Sequence, residues 1–152
     1  MANPFSLEGK TILITGAASG IGRATAKECA NMGASLVLYD LNEAGLASVK
    51  ADIGDESVVT MALNLTDYGA LCNAVGQLPK LDGVFSNAGI VLSLMAKFSK
   101  KEDMEKIFNV NTFSHINLIQ QLIAQKKLNK GASIVFTSSM SGVYAGLVGG
   151  SL

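Results

Sequence analysis

The chain has 152 residues, enough for one domain with a real core, and residues 1–152 are read as one unit. Its 12 Lys and Arg balance 12 Asp and Glu, so charge gives no reason to expect nucleic acid or an anionic membrane as partner. Apolar residues at 49% against 16% charged fit a parallel sheet covered on both faces.

The first residues, MANPFSLEGK, contain no apolar stretch of the kind a secretory leader carries. Thr11–Thr15 is a short β-branched strand. Ser19–Met32 follows as a helix, with Ile21, Ala24, Cys29 and Met32 as its apolar face and Gly33 as its stop. Ser35–Tyr39 is the second strand. Asn42–Ile53 is a helix carrying Leu46, Val49 and Ile53. Ser57–Leu63 is the third strand, and Thr66 is the expected cap of a helix bearing Leu71, Val75 and Leu78. Leu81–Ser86 is the fourth strand. One long helix is predicted over Lys101–Lys127, with Met104, Ile107, Phe108, Ile116, Ile119, Leu122 and Ile123 on its apolar side. Ser133–Thr137 is the fifth strand. Alternation of strand and helix predicts a parallel sheet with right-handed crossovers and helices on both faces.

Cys29 and Cys72 lie far apart in helical patterns, with no Cys/His cluster. They read as reduced thiols, and no metal site is indicated. No apolar run approaches the length that spans a bilayer, and a cytoplasmic protein is expected.

The loop TGAASGIG, Thr15–Gly22, joins the first strand to the first helix. Its glycines sit at 16, 20 and 22, a spacing that differs from GxGxxG. It follows a strand, opens a helix and sits in a βαβ unit of about 30 residues, as in dinucleotide-binding folds. Glycine lets backbone approach a ligand closely, and free N–H groups at the helix start favour a pyrophosphate. Asp40 closes the second strand, 18 residues beyond Gly22. An acid there accepts from ribose hydroxyls and repels a 2′-phosphate, and Leu41 follows with no Arg or Lys beside it. NAD is therefore favoured over NADP. At this point an S-adenosylmethionine methyltransferase, with a similar loop and strand-end acid, is the rival.

Three further stretches separate the two. Ser86-Asn87-Ala88-Gly89 follows the fourth strand, Asn111 lies in FNVNTFSH, and Ser138-Ser139 follow the fifth strand in SIVFTSSMSG. Together with TGAASGIG these resemble the short-chain dehydrogenase/reductase family, in order along the whole chain. The resemblance implies a Rossmann-type doubly wound sheet, strand order 3-2-1-4-5, in a three-layer αβα arrangement. It implies that Gly16, Ser19, Gly20, Ile21 and Gly22 cradle the pyrophosphate and that Asp40, with Leu41, holds the adenosine ribose. Asn64 and Leu65 fall where the family has an acid–apolar pair beside adenine. Asn replaces the usual Asp, and its carbonyl is expected to accept from the adenine amino group. Asn87, Ala88, Gly89 and Ile90 would pass behind the cofactor, with Ser86 in place of the first Asn of the family's NNAG.

The resemblance also implies NAD-dependent hydride transfer between nicotinamide and a secondary alcohol or carbonyl. Ser139 would hold the substrate oxygen, and the Asn111 backbone carbonyl would support a water chain. The family's Tyr-x-x-x-Lys acid/base pair has no match. Tyr144 is followed four residues later by Val148, and no Lys follows Lys130. Tyr144 reads as a loop or packing aromatic, and GVYAGLVGGSL resembles the loop that leads to the family's Tyr. The expectation is a fold incomplete at its C-terminus, inactive alone, or an NAD-binding module without turnover. The fifth strand would then form an exposed edge. Pairing into a homo-oligomer through the Lys101–Lys127 helix is also implied. His115, the one histidine, reads as a packing or surface residue. Lys97, Lys100, Lys101 and Lys106, with Glu102, Asp103 and Glu105, read as a solvated helix start.

Overall fold

Leu13 and Ile14, like Val37 and Leu38, are adjacent in sequence and therefore point to opposite faces of the sheet, yet all four are buried. This is why the central strands are unbroken apolar runs: both faces carry helices. The computed structural model describes residues 3–92 and 96–139. In chain order its main elements are β1 (Thr11–Thr15), α1 (Gly20–Asn31), β2 (Ser35–Asp40), α2 (Glu43–Ile53), β3 (Val59–Ala62), α3 (Tyr68–Gln77), β4 (Leu81–Ser86), α4 (Lys101–Phe108), a π-helical turn (Asn109–Phe113), α5 (Ser114–Ala124) and β5 (Leu128–Phe136).

All described pairings are parallel, in the order β3-β2-β1-β4-β5. On one face Ile14, Leu36 and Leu38 pack with Ala26 of α1 and with Leu46 and Val49 of α2. On the other, Leu13, Val37, Tyr39 and Val84 pack with Leu71 and Val75 of α3 and with Leu118 and Leu122 of α5. The sheet is a Rossmann-like three-layer αβα arrangement. Its register aligns Thr15 with Tyr39, Asp40 with Ala62, and Ser86 with Phe136. The strand ends thus form one rim, and the direction in which successive strands are added to the sheet reverses between β1 and β4, where such folds open a crevice.

Several local expectations are corrected. The buried face of α1 is Gly22 and Ala26, with Cys29 and Ala30 partly covered. Ile21 is 62% exposed, because it opens the helix above the strand ends. The cap of α3 is Asp67, whose carboxylate accepts from Ala70 N at 2.9 Å. Thr66 instead turns its hydroxyl onto Asn64. Strand β3 is shorter than Ser57–Leu63, and β5 begins earlier than Ser133, with a register irregularity between Leu81 and Gly83.

The long helix expected over Lys101–Lys127 runs from Lys101 to Ala124, with its α-helical course interrupted by the π turn. The π turn sets the Ser114 N–H onto the Asn109 carbonyl, five residues back. One extra residue in a turn rotates the following helix by about 100°. The buried face of α5 is therefore Ser114, His115, Leu118 and Leu122, while Ile116 and Ile123 are 57% and 62% exposed. Among the described residues no helix is long and apolar enough to cross a membrane. Tyr144 and the GVYAGLVGGSL stretch lie outside the described residues.

Candidate functional site

A cleft of about 1090 Å³ lies along the aligned strand ends. Its floor is the loop after β1. Its walls are the residues following β2, β3 and β4 and the inner side of α4.

Two glycines let the loop close down. Gly16 has φ of 66°, and a Cβ there would stand 2.8 Å from the Ala88 Cα. Gly22 has no room at all: a Cβ would stand 2.0 Å from the Gly16 carbonyl oxygen. The first turn of α1 can therefore sit directly on the loop that precedes it. The N-cap Ser19 makes no side-chain capping bond, which leaves its hydroxyl available at the helix start.

Asp40 ends β2 with both carboxylate oxygens engaged by backbone. Oδ2 accepts from Ala18 N at 3.0 Å and Oδ1 from Asn42 N at 2.9 Å. Each oxygen keeps a lone pair for a further donor. The cations of α1 are committed elsewhere: Arg23 and Lys27 reach Asp52 at 2.6 and 3.3 Å.

The turn after β4 is held from four sides. The buried Thr15 hydroxyl accepts from Asn87 N at 2.9 Å and Ala88 N at 3.1 Å. The Asn87 side chain donates to Gly16 O at 3.4 Å and accepts from the Thr137 hydroxyl at 2.7 Å. His115 donates from Nε2 to Ala88 O at 2.7 Å, so its Nδ1 accepts from the Ser86 hydroxyl. Burial pushes the imidazole pKa below its ordinary value, against a smaller opposing effect of the Ala88 bond. Asn111 clamps Ile90, accepting from its N at 2.8 Å and donating to its O at 2.9 Å. The π turn supplies this last contact, since Asn111 lies within it.

All the expected binding residues except Gly22 line the cleft. Gly22 lies beneath it, and Asn111 stands behind Ile90. Ser139 lies beyond β5, exposed and apart from the cleft lining. Glu102, Glu105 and Lys106, read as a plain solvated helix start, face the cleft from α4. Asn64 departs from expectation. Its carbonyl already accepts from Thr66 N at 3.1 Å and from the Thr66 hydroxyl at 2.8 Å.

Thr15 and Thr137 were not legible as supports of the turn, because their partners are about 70 and 50 residues away and only the β1–β4–β5 pairing brings them together. Tyr39, also along the cleft, donates to Ala74 O at 3.4 Å. Burial pushes its pKa up to about 12, so it stays protonated and is no base at neutral pH.

Residues 10–151 match the family described as short chain dehydrogenase. The 3-oxoacyl-[acyl-carrier-protein] reductase FabG of Rickettsia bellii is 32% identical over 139 residues, which cover 91% of this chain and 57% of that protein. Among solved structures, a 3-ketoacyl-(acyl-carrier-protein) reductase from Brucella melitensis complexed with NADH is 29% identical with a TM-score of 0.78, covering 90% of this chain and 60% of that one. A short chain dehydrogenase from Escherichia coli CFT073 complexed with NADPH is 28% identical with a TM-score of 0.84, covering 95% and 65%. The chain thus spans less than two thirds of the length of each.

Proposed function

The chain belongs to the short-chain dehydrogenase family, and from that premise we propose that residues 1–152 form the nucleotide-binding unit of an NAD-dependent oxidoreductase. The observation that carries this reading is Asp40. It stands at the end of β2 beside the glycine loop, while Arg23 and Lys27 are drawn off to Asp52. A carboxylate with spare lone pairs accepts from the adenosine 2′- and 3′-hydroxyls and repels a 2′-phosphate.

The residues fit the group. The loop of Gly16, Ser19, Gly20 and Ile21 lies at the cleft floor, where the free N–H groups of the α1 start attract a pyrophosphate. Leu41 and Leu65 flank the base. Asn87, Ala88, Gly89 and Ile90 form the wall toward nicotinamide, stiffened by Thr15, His115 and Asn111. When bound, NAD supplies hydride chemistry at the nicotinamide C4. Ser139 orients the oxygen of a secondary alcohol or carbonyl substrate. Asn111 fixes the wall through its side chain, and its backbone carbonyl supports proton relay through water. The protein acts in the cytoplasm and pairs with a second copy along α4 and α5.

Calorimetric titration of this chain tests the cofactor reading. NAD is expected to bind at one site, NADP at least tenfold more weakly, and Asp40→Ala to erase most of that difference. Equal affinity for both dinucleotides in the unaltered chain would contradict it.

A further inference from the structure

We propose that His115 is a positioning residue for the nicotinamide end of the cleft, bracing the Ala88 carbonyl from behind while its ring is neutral, so that the dinucleotide and a proton on His115 exclude one another. This rests on the dinucleotide reading and deepens it.

The turn from Asn87 to Ile90 lines the cleft and is held by side chains from several elements. Thr15 takes the Asn87 and Ala88 N–H groups, and Asn111 clamps Ile90 at both its N–H and its carbonyl. Thr137 ties the Asn87 side chain to the end of β5. None of these groups titrates near neutral pH. The Ala88 carbonyl has one hydrogen-bond partner among the described residues, the Nε2–H of His115 at 2.7 Å. His115 is thus the one support of this wall whose hydrogen bonding changes between about pH 5 and 8.

The surroundings of the ring decide which form does the bracing. Ser86 faces Nδ1 from β4, the Phe136 ring of β5 stands edge-on with centroids 6.4 Å apart, and Leu118 shares the buried face of α5. The charged residues lining the cleft, Asp40, Glu102, Glu105 and Lys106, make no ion pair with the ring among the described residues. With Nε2 donating to Ala88, Nδ1 of the neutral ring accepts the Ser86 proton. A proton on Nδ1 replaces that acceptor with a donor. The Ser86 hydroxyl must then turn its own proton into a buried place where its side chain has no other hydrogen-bond partner among the described residues. No carboxylate stands by to offset the new charge. The charged ring gains by moving toward water, and the Ala88 carbonyl loses its donor. Burial already holds the ring below its ordinary pKa, so the release comes only in acid. A nicotinamide packed on this wall needs the braced form and so disfavours the proton. By linkage the proton disfavours the dinucleotide by the same factor.

The test titrates the unaltered chain by calorimetry with NAD and with ADP-ribose, which lacks the nicotinamide ring, at pH 7.5 and pH 5.0. NAD is expected to bind about fivefold more weakly at the lower pH, the small end of the usual range of coupling, and ADP-ribose to change by less than about twofold. Any effect of Asp40 is common to both ligands and cancels in their ratio. His115→Gln keeps an amide donor for Ala88 and cannot charge, so its NAD affinity is expected to follow that of ADP-ribose. Because the chain has one histidine, its ring proton resonance reads the reciprocal effect directly and needs no variant: saturating NAD is expected to lower the titration midpoint of the ring. A histidine serving the fold alone would move the melting temperature with pH and leave these readouts still. Equal pH dependence for NAD and ADP-ribose, an excess that persists in His115→Gln, or a ring titration that NAD does not move overturns the inference and leaves the cofactor reading standing. Absence of binding by either ligand at pH 7.5 overturns both.

Discussion

His115 shows how one side chain couples the core to the cleft wall. Its ring joins Ser86, at the end of β4, to the carbonyl of Ala88 in the turn. Both nitrogens are used, and only the neutral ring can accept from Ser86 while donating to Ala88. Burial lowers its pKa in the folded chain, so the unfolded chain binds the proton more readily. Stability from this group is complete above the unfolded value near 6.5. It is lost as pH falls below that value toward the lower folded one. The urea midpoint should therefore drop between pH 7.5 and pH 5.5. His115→Gln should flatten that drop, since no other histidine is present. An equal drop in the variant would place the titrating group elsewhere. Ser86→Ala leaves the buried Nδ1 without a donor and should cost about 1–3 kcal/mol at pH 7.5.

At the scale of elements, the π turn does two things. It carries Asn111 to Ile90, and it rotates α5 so that Ile116 and Ile123 leave the core. Phe108 and Phe113 are about half exposed on the same stretch. These residues support the pairing proposed along α4 and α5. Sedimentation velocity should find the unaltered chain self-associated and the double variant Ile116→Glu, Ile123→Glu shifted toward monomer. A Val135→Lys variant on the β5 edge should keep the association. If Val135→Lys alone yields monomer, the strand edge is the contact. Strands β1, β2 and β4 were legible from their apolar runs, and strand order followed from the alternation and the resemblance. The π turn was not. An insertion of one residue leaves the apolar spacing on each side intact, and only the phase between the halves changes. Asp67 displaced Thr66 as the cap because Thr66 donates its proton to Asn64, a local competition that position alone does not resolve.

Across the whole molecule, the sheet register does the assembling. It brings Thr15, Asp40, the end of β3 and Ser86 to one rim, and the binding candidates along the cleft come from four separate stretches of sequence. Those stretches were legible because each is a short pattern following a strand. Their supports were scattered single residues. The central claim is that this rim holds NAD. The most direct measurement is an amide-resolved nuclear magnetic resonance titration of the chain with NAD. Shifts are expected at Gly16, Gly20, Asp40, Leu65 and the Ala88–Ile90 turn, with Lys10, Asp82 and Gly131 at the opposite end of the sheet unmoved. Shifts confined to that opposite end, or none at millimolar NAD, would contradict it.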